Sequence, residues 1–339
     1  MKEERKGFGC FTYPTIVLMA IICGSTFRFI IPIPGWLSIT AFLFLFSWVV
    51  GKMINHNRFP QRYTFYSDLF LSILLAIRFV LNLDIPAYSP KYELADTITK
   101  ERVLEKGDSI TLLSQDRNWK DNYGNGYSGH FSVREQDYKD SKDLYWRLSN
   151  TKGWKSWSEL YQYLITQDTP YLDLIIEELT QIQQTKQLDQ FEFAEMVVTF
   201  IQDIPYALVF EGRCSDSSHH TPETQRVLDA CPECCIGFIP NGVQTPIAFM
   251  GDLKGDCDTR TVIIYAILNY FGYDVAILNS NYYRHSILGL HIPSTGTYKL
   301  HNGKRYYVWE TTNKNYTLGN IPKNYRRMNY WDVVLSNEL

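Results

Sequence analysis

The sequence predicts an α+β protein whose soluble region stands behind a membrane anchor, on three observations. Residues 1–83 hold three long apolar runs. A glycine-bearing turn at Gly251–Asp256 then leads into TRTVIIYAILNYF, whose side chains leave almost no polar face, so a helix buried nearly all round is expected. After it come YDVAILNS, RHSILGLHI and KRYYVWETT, three strand-like stretches that suit an antiparallel meander.

The apolar runs at 11–27, 36–54 and 65–83 are each close to the length of a spanning helix. Lys2, Arg5 and Lys6 precede the first, and Lys52, Arg58 and Arg62 separate the second from the third. The IPIPG turn between the first two carries no charge. By the positive-inside rule the N-terminus is cytoplasmic, and an odd number of crossings puts everything beyond residue 83 outside. The lipid bilayer is thus the first expected partner. A formal net charge of −3 gives no overall attraction for nucleic acid, and none is expected.

Two soluble segments follow, 84–190 and 191–339. In the first, Val103 to Val133 reads as strands around the turn-rich NYGNGYSG, and helical patterns begin near Ser156. PYLDLIIEELTQIQ opens on a proline suited to a first helical turn. Asp189 is a plausible cap for QFEFAEMVVTFIQDI, which must end before Pro205. Glu211 to Gln244 reads as loop, and the last residues carry no assigned element.

The chemistry sits at the start of the buried helix. Asp256 suits an N-cap, and Gly255 allows close backbone approach to a substrate. Cys257 then falls in the first turn, where free amides and the helix dipole favour a thiolate. A cysteine nucleophile needs a base and a group to orient that base. His285 and Glu310, on neighbouring strands, are the residues suited to those roles. The backbone amide of Cys257 is a candidate oxyanion donor, and Gln244 is a speculative second. Taken singly, each has a plainer reading: an inert buried thiol, a structural histidine, an exposed carboxylate or an exposed loop amide. These side chains call for no cofactor.

Cys214, Cys231, Cys234 and Cys235 form an even set, which an oxidising exterior permits to close as two disulfides. Bonding between the adjacent Cys234 and Cys235 is disfavoured by disulfide geometry. A metal site built on the four thiolates, with His219 or His220, is an alternative, although one CxxC without a second misses the zinc-ribbon spacing. Free thiols are a third.

The blocks GDLKGDCDTRTVIIYAILNYFGYDVAIL, RHSILGLHI and YYVWETT, with FIQDIPYALVF and QTPIAFMGD upstream, resemble the bacterial transglutaminase-like superfamily between Met196 and Thr312. That resemblance implies a papain-like core, a central helix on an antiparallel sheet. It implies Cys257 as nucleophile and His285 as base, with Glu310 where an aspartate is more usual. The expected protein is a multi-pass enzyme of the bacterial cell membrane, with its catalytic domain outside. It would transfer the acyl group of an amide in a peptide or protein substrate, with peptidase-type hydrolysis favoured over transamidation. The alternative is a non-catalytic papain-like module that binds a peptide or cell-wall partner at the membrane surface.

Overall fold

The computed structural model describes residues 98–216 and 220–337. The spans expected at 11–27, 36–54 and 65–83, and the orientation argued from them, lie outside these residues. Among the described residues no helix is long and apolar enough to cross a membrane.

The architecture is α+β with antiparallel sheets. Strands β1 (Thr99–Glu105), β2 (Asp108–Lys120) and β3 (Gly126–Arg134) form a sheet in that order. Lys106 and Gly107 both have positive φ, at 51° and 94°, which closes the first hairpin with the twist its strands require. Helix α1 (Glu135–Thr151) was given no element above. Its sequence is mostly polar and it buries only Ser141 and Tyr145, so it shows little apolar period.

Helix α2 (Trp157–Asp168) is capped by Ser156, whose side chain accepts from Glu159 N at 3.2 Å. Pro170 opens a 3-10 turn (Thr169–Leu172) rather than the following helix α3 (Asp173–Lys186). Helix α4 (Gln190–Asp203) starts with a full capping box: Asp189 accepts from Glu192 N at 2.9 Å, and Glu192 accepts from Asp189 N at 3.0 Å. It is buried along nearly its whole length and gives way to extended backbone before Pro205.

The stretch expected to be loop contains helix α5 (Pro222–Ala230) and strand β5 (Cys235–Ile236), which pairs in parallel with β4 (Leu208–Val209) just before that stretch. Two disulfides, Cys214–Cys235 and Cys231–Cys234, tie this lobe together. All four thiols are therefore spent on sulfur–sulfur bonds, which removes the alternative of a thiolate metal site. His220 stacks on Phe210 instead, and His219 lies outside the described residues.

Helix α6 (Pro246–Asp252) leads to the central helix α7 (Cys257–Tyr270). It packs on a five-stranded sheet of order β10-β6-β7-β9-β8. The strands are β6 (Val275–Ser280), β7 (His285–Leu290), β8 (Tyr298–His301), β9 (Lys304–Trp309) and β10 (Asp332–Ser336). The expected meander therefore gains two edges. β8 folds back as a hairpin outside β9, and the C-terminal segment adds β10 beside β6. Ile263, Ile264, Ile267 and Leu268 are wholly buried between sheet and helices, each worth about 1.5–3 kcal/mol relative to exposure. One hydrophobic core runs from Leu113 on β2 through α2, α3 and α4 to Leu335 on β10.

Candidate active site

The turn before α7 is fixed from two sides. Ala207 N donates to Gly255 O at 3.1 Å, continuing the line of β4. Arg260, one turn into the helix and wholly buried, reaches back with Nε to Gly255 O at 3.1 Å. Its other guanidinium nitrogens donate to Ile201 O at 3.1 Å and to Ile204 O. Those carbonyls close the C-terminal end of α4, where the helix dipole attracts a cation. Burial pulls the guanidinium down to about 10, so it is still a cation at neutral pH. Gly255 is needed for packing: a Cβ there would meet Phe249 at 2.8 Å and Gln244 Oε1 at 2.9 Å.

Asp256 is the N-cap as expected, accepting from Thr259 N at 3.1 Å. Cys257 follows at the first helical position, 7% exposed, and is the free cysteine among the described residues. Its backbone N–H belongs to the first turn, where helix amides have no intrahelical acceptor.

His285 opens β7, and Glu310 follows β9 directly. The β7–β9 pairing ends at Leu288↔Trp309. Continuing that register sets Glu310 opposite Ile287, on the same face as His285 and diagonal to it. The two meet: His285 Nε2 and Glu310 Oε2 are 2.9 Å apart. A carboxylate only accepts, so Nε2 carries the proton and Nδ1 is left as the basic nitrogen. Far from sitting exposed at a strand end, Glu310 is wholly buried. Its second oxygen accepts from Thr312 N at 2.8 Å and Thr312 Oγ1 at 2.6 Å. Burial alone would depress the imidazole, but the charge and hydrogen bond of Glu310 outweigh it and raise the His285 pKa. Burial would likewise raise Glu310, but His285 and Thr312 hold it below the usual carboxylate value.

The thiol is arranged differently from the expectation. The backbone amide of Ser286, the residue after the proposed base, favours the Cys257 thiolate, but more weakly than burial and the flanking carboxylates oppose it. No hydrogen bond joins sulfur and imidazole. The Cys257 thiol donates instead to Asp258 Oδ2 at 3.7 Å. Asp258 Oδ1 accepts from Tyr161 OH at 2.6 Å and from Ser286 Oγ, and Asn279 Nδ2 donates to Tyr161 OH at 2.8 Å. Burial and then the carboxylates of Asp258 and Asp256 push the thiol well up, opposite to the thiolate expected from the helix dipole alone. Burial and Asp258 also raise Asp256.

Gln244 is 1% exposed and not a loop amide in solvent. Its Nε2 donates to Asp252 Oδ2 at 2.8 Å, and its Oε1 faces Gly255 without a partner. One of the two amide hydrogens is thus committed to Asp252 at the turn.

Asp258, Arg260 and Tyr325 belong to the site but were not picked out from the sequence. An arginine inside an otherwise apolar helix was a signal for Arg260. For Tyr325, whose ring centroid lies 5.1 Å from that of His285, the sequence offered none beyond its aromatic surroundings. No protein-family model, curated protein or solved structure matches the chain.

Proposed function

We propose that this chain is a cysteine-dependent acyl-transfer enzyme of transglutaminase-like type, anchored in a bacterial cell membrane with its catalytic domain outside. Its substrate is an amide in a peptide or protein, and hydrolysis is favoured over transamidation. The supporting observation is the buried His285–Glu310 pair at 2.9 Å, beside a helix N-terminus that carries the free thiol.

The neutral resting thiol dictates the sequence of steps. On substrate entry the S–H turns from Asp258 towards His285 Nδ1, which takes the proton as sulfur attacks the carbonyl carbon. Apo geometry of this kind commonly tightens only with substrate present. The Cys257 amide faces the developing oxyanion. When the tetrahedral intermediate collapses, the C–N bond breaks and imidazolium gives its proton to the leaving amine. Water then attacks the thioester, His285 takes its proton, and the carboxylic acid departs as the thiol is restored. Glu310 stabilises each imidazolium.

The test uses the full chain and a set of peptides, with mass spectrometry of acyl-enzyme and product. The reading expects a thioester on Cys257 and turnover that disappears in Cys257→Ala and His285→Ala. Peptide binding that is unaltered in both variants, without any product, would instead support the binding module.

A further inference from the structure

The two segments beside the proposed base supply rings and cations and no acid. The turn before β7 supplies Tyr282, Tyr283 and Arg284. The segment 321–331 supplies Lys323, Tyr325, Arg326, Arg327, Tyr330 and Trp331. Neither 280–286 nor 318–331 contains an Asp or Glu, and Asp332 is the first carboxylate after them. Four cations without an acid, in a chain whose net charge is −3, constitute a local reversal of sign. The four are exposed, and none forms an ion pair among the described residues.

Ring contacts hold the two segments together. Tyr282 stacks on Tyr330 with centroids 4.2 Å apart and planes 12° from parallel, yet is 66% exposed. Tyr283 packs on Tyr325 at 5.2 Å and on Trp331 at 5.5 Å. The His285 ring touches the same wall, 5.1 Å from Tyr325 and 6.0 Å from Trp331. Lys299 Nζ pins the segment from below, donating to Met328 O at 3.0 Å and Trp331 O at 2.5 Å, while Trp331 Nε1 donates to Tyr325 O at 2.9 Å. Arg284 directly precedes the base, and Arg326 directly follows the tyrosine against its ring. The rim is therefore braced by its own contacts, including Arg326 Nε donating to Ile321 O at 3.3 Å, and its four cationic residues are exposed.

We infer that this rim selects substrates by charge: the peptide segment flanking the reacting amide is acidic, with Asp or Glu side chains against Arg284, Lys323, Arg326 and Arg327. This deepens the acyl-transfer reading and rests on it for the position of the amide. Planar guanidinium forks suit carboxylates, and the stacked tyrosines offer flat apolar support to the rest of the peptide. The interior carboxylates do not undo this selection. Glu310 is buried and paired with His285, and Asp258 is tied to Tyr161 and Ser286.

The experiment measures binding to the full chain carrying Cys257→Ala, by anisotropy of peptides bearing an uncharged dye. A Gly-Glu repeat peptide is compared with its Gly-Gln counterpart. The expected result is about tenfold tighter binding of the acidic peptide at low salt, a preference that fades as salt screens the rim. The double variant Arg326→Gln/Arg327→Gln removes the preference, whereas Lys186→Gln on α3 keeps it. Equal affinity for the two peptides overturns the inference, as does a preference indifferent to the arginines. Competition by phosphatidylglycerol vesicles, but not by free acidic peptide, overturns it in favour of a lipid surface. A charge preference with no Cys257-dependent turnover in the unaltered chain keeps the rim and removes the acyl-transfer reading. Turnover without a charge preference does the reverse.

Discussion

The Cys257 thiol hydrogen-bonds the carboxylate of its own neighbour, Asp258, at 3.7 Å, and not the imidazole of His285. Burial first, and then the like charge of Asp258 beside the thiol, disfavour the thiolate, so Cys257 is neutral before substrate arrives. Asp258→Asn keeps an oxygen for the Tyr161 hydroxyl but removes that charge. The curve of Cys257 alkylation by iodoacetamide against pH is then expected to move to lower pH, with labelling several-fold faster at neutrality. An unmoved curve, in a variant with unchanged thermal midpoint, denies Asp258 this role.

Glu310→Gln tests the pair from the other side. Glu310 raises the His285 pKa, so activity that needs the free base rises with pH through that raised value. The amide can still accept the Nε2 proton but contributes no charge, so the acid limb of kcat/KM shifts to lower pH. Its maximum falls by about 10² to 10⁴, the range found when an orienting carboxylate is lost. The stability signs differ for the two groups. A raised His285 pKa stabilises fully below its ordinary 6.5, and that contribution is lost as pH rises through the folded value. A lowered Glu310 pKa stabilises fully above its ordinary 4.5, and that contribution is lost as pH falls through the folded value. The difference in thermal midpoint between parent and variant is therefore greatest between pH 4.5 and 6.5.

How much of this was legible follows from which physical signal each part leaves. Cys257, His285 and Glu310 sit at element boundaries that local pattern marks: a cap, a strand start and a strand end. Neighbouring strands with matched faces then bring His285 to Glu310. The rotamer of the thiol leaves no trace in a pattern, and neither does the choice between Asp258 and His285 as its partner. Dipole reasoning favoured the thiolate because it weighed the helix and omitted burial and the two flanking carboxylates. Helix α1 escaped notice because it buries so little. Strand β10 did so because a sheet edge needs only a short alternating run. Gln244 looked like a loop amide since nothing in its neighbourhood announces that Gly255 and Asp252 will enclose it.

Arg260 carries a structural prediction. Its three donors satisfy carbonyls of Gly255, Ile201 and Ile204, all inside the core. Arg260→Met fills similar space but takes the donor from Ile204 O, which costs about 1–3 kcal/mol when buried without a partner, while Gly255 O keeps Ala207 N and Ile201 O keeps Ile204 N. A destabilisation of about 1–3 kcal/mol is expected, read as a lower urea midpoint of the full chain. Arg260→Lys recovers only part of it, because one ammonium lacks the fork that spans helix and turn. A midpoint unchanged in Arg260→Met would mean that the clamp contributes nothing.

Glu195 on α4 makes the fold less stable as pH rises towards neutrality. Its Oε1 accepts from Asn122 N at 3.2 Å and Nδ2 at 2.5 Å, but the buried Oε2 has no partner. Burial raises the carboxyl from its ordinary 4.5 to about 7, so in the folded chain it stays protonated across a range where the unfolded chain has released the proton. Over that range the folded state binds more protons, and stability falls as pH rises from 4.5 towards 7. The gap corresponds to about 3 kcal/mol, most of it lost by neutral pH. Asn122 Nδ2 also donates to Tyr316 O at 3.2 Å, and Trp309 Nε1 donates to that same carbonyl at 2.8 Å. Ionisation of Glu195 therefore loads the loop after β9, the strand that delivers Glu310. Glu195→Gln keeps the acceptor for Asn122 and cannot ionise, so its urea midpoint should be flatter with pH than the parent's and higher above neutrality. Parallel pH profiles for the two proteins would rule Glu195 out as the origin of the slope.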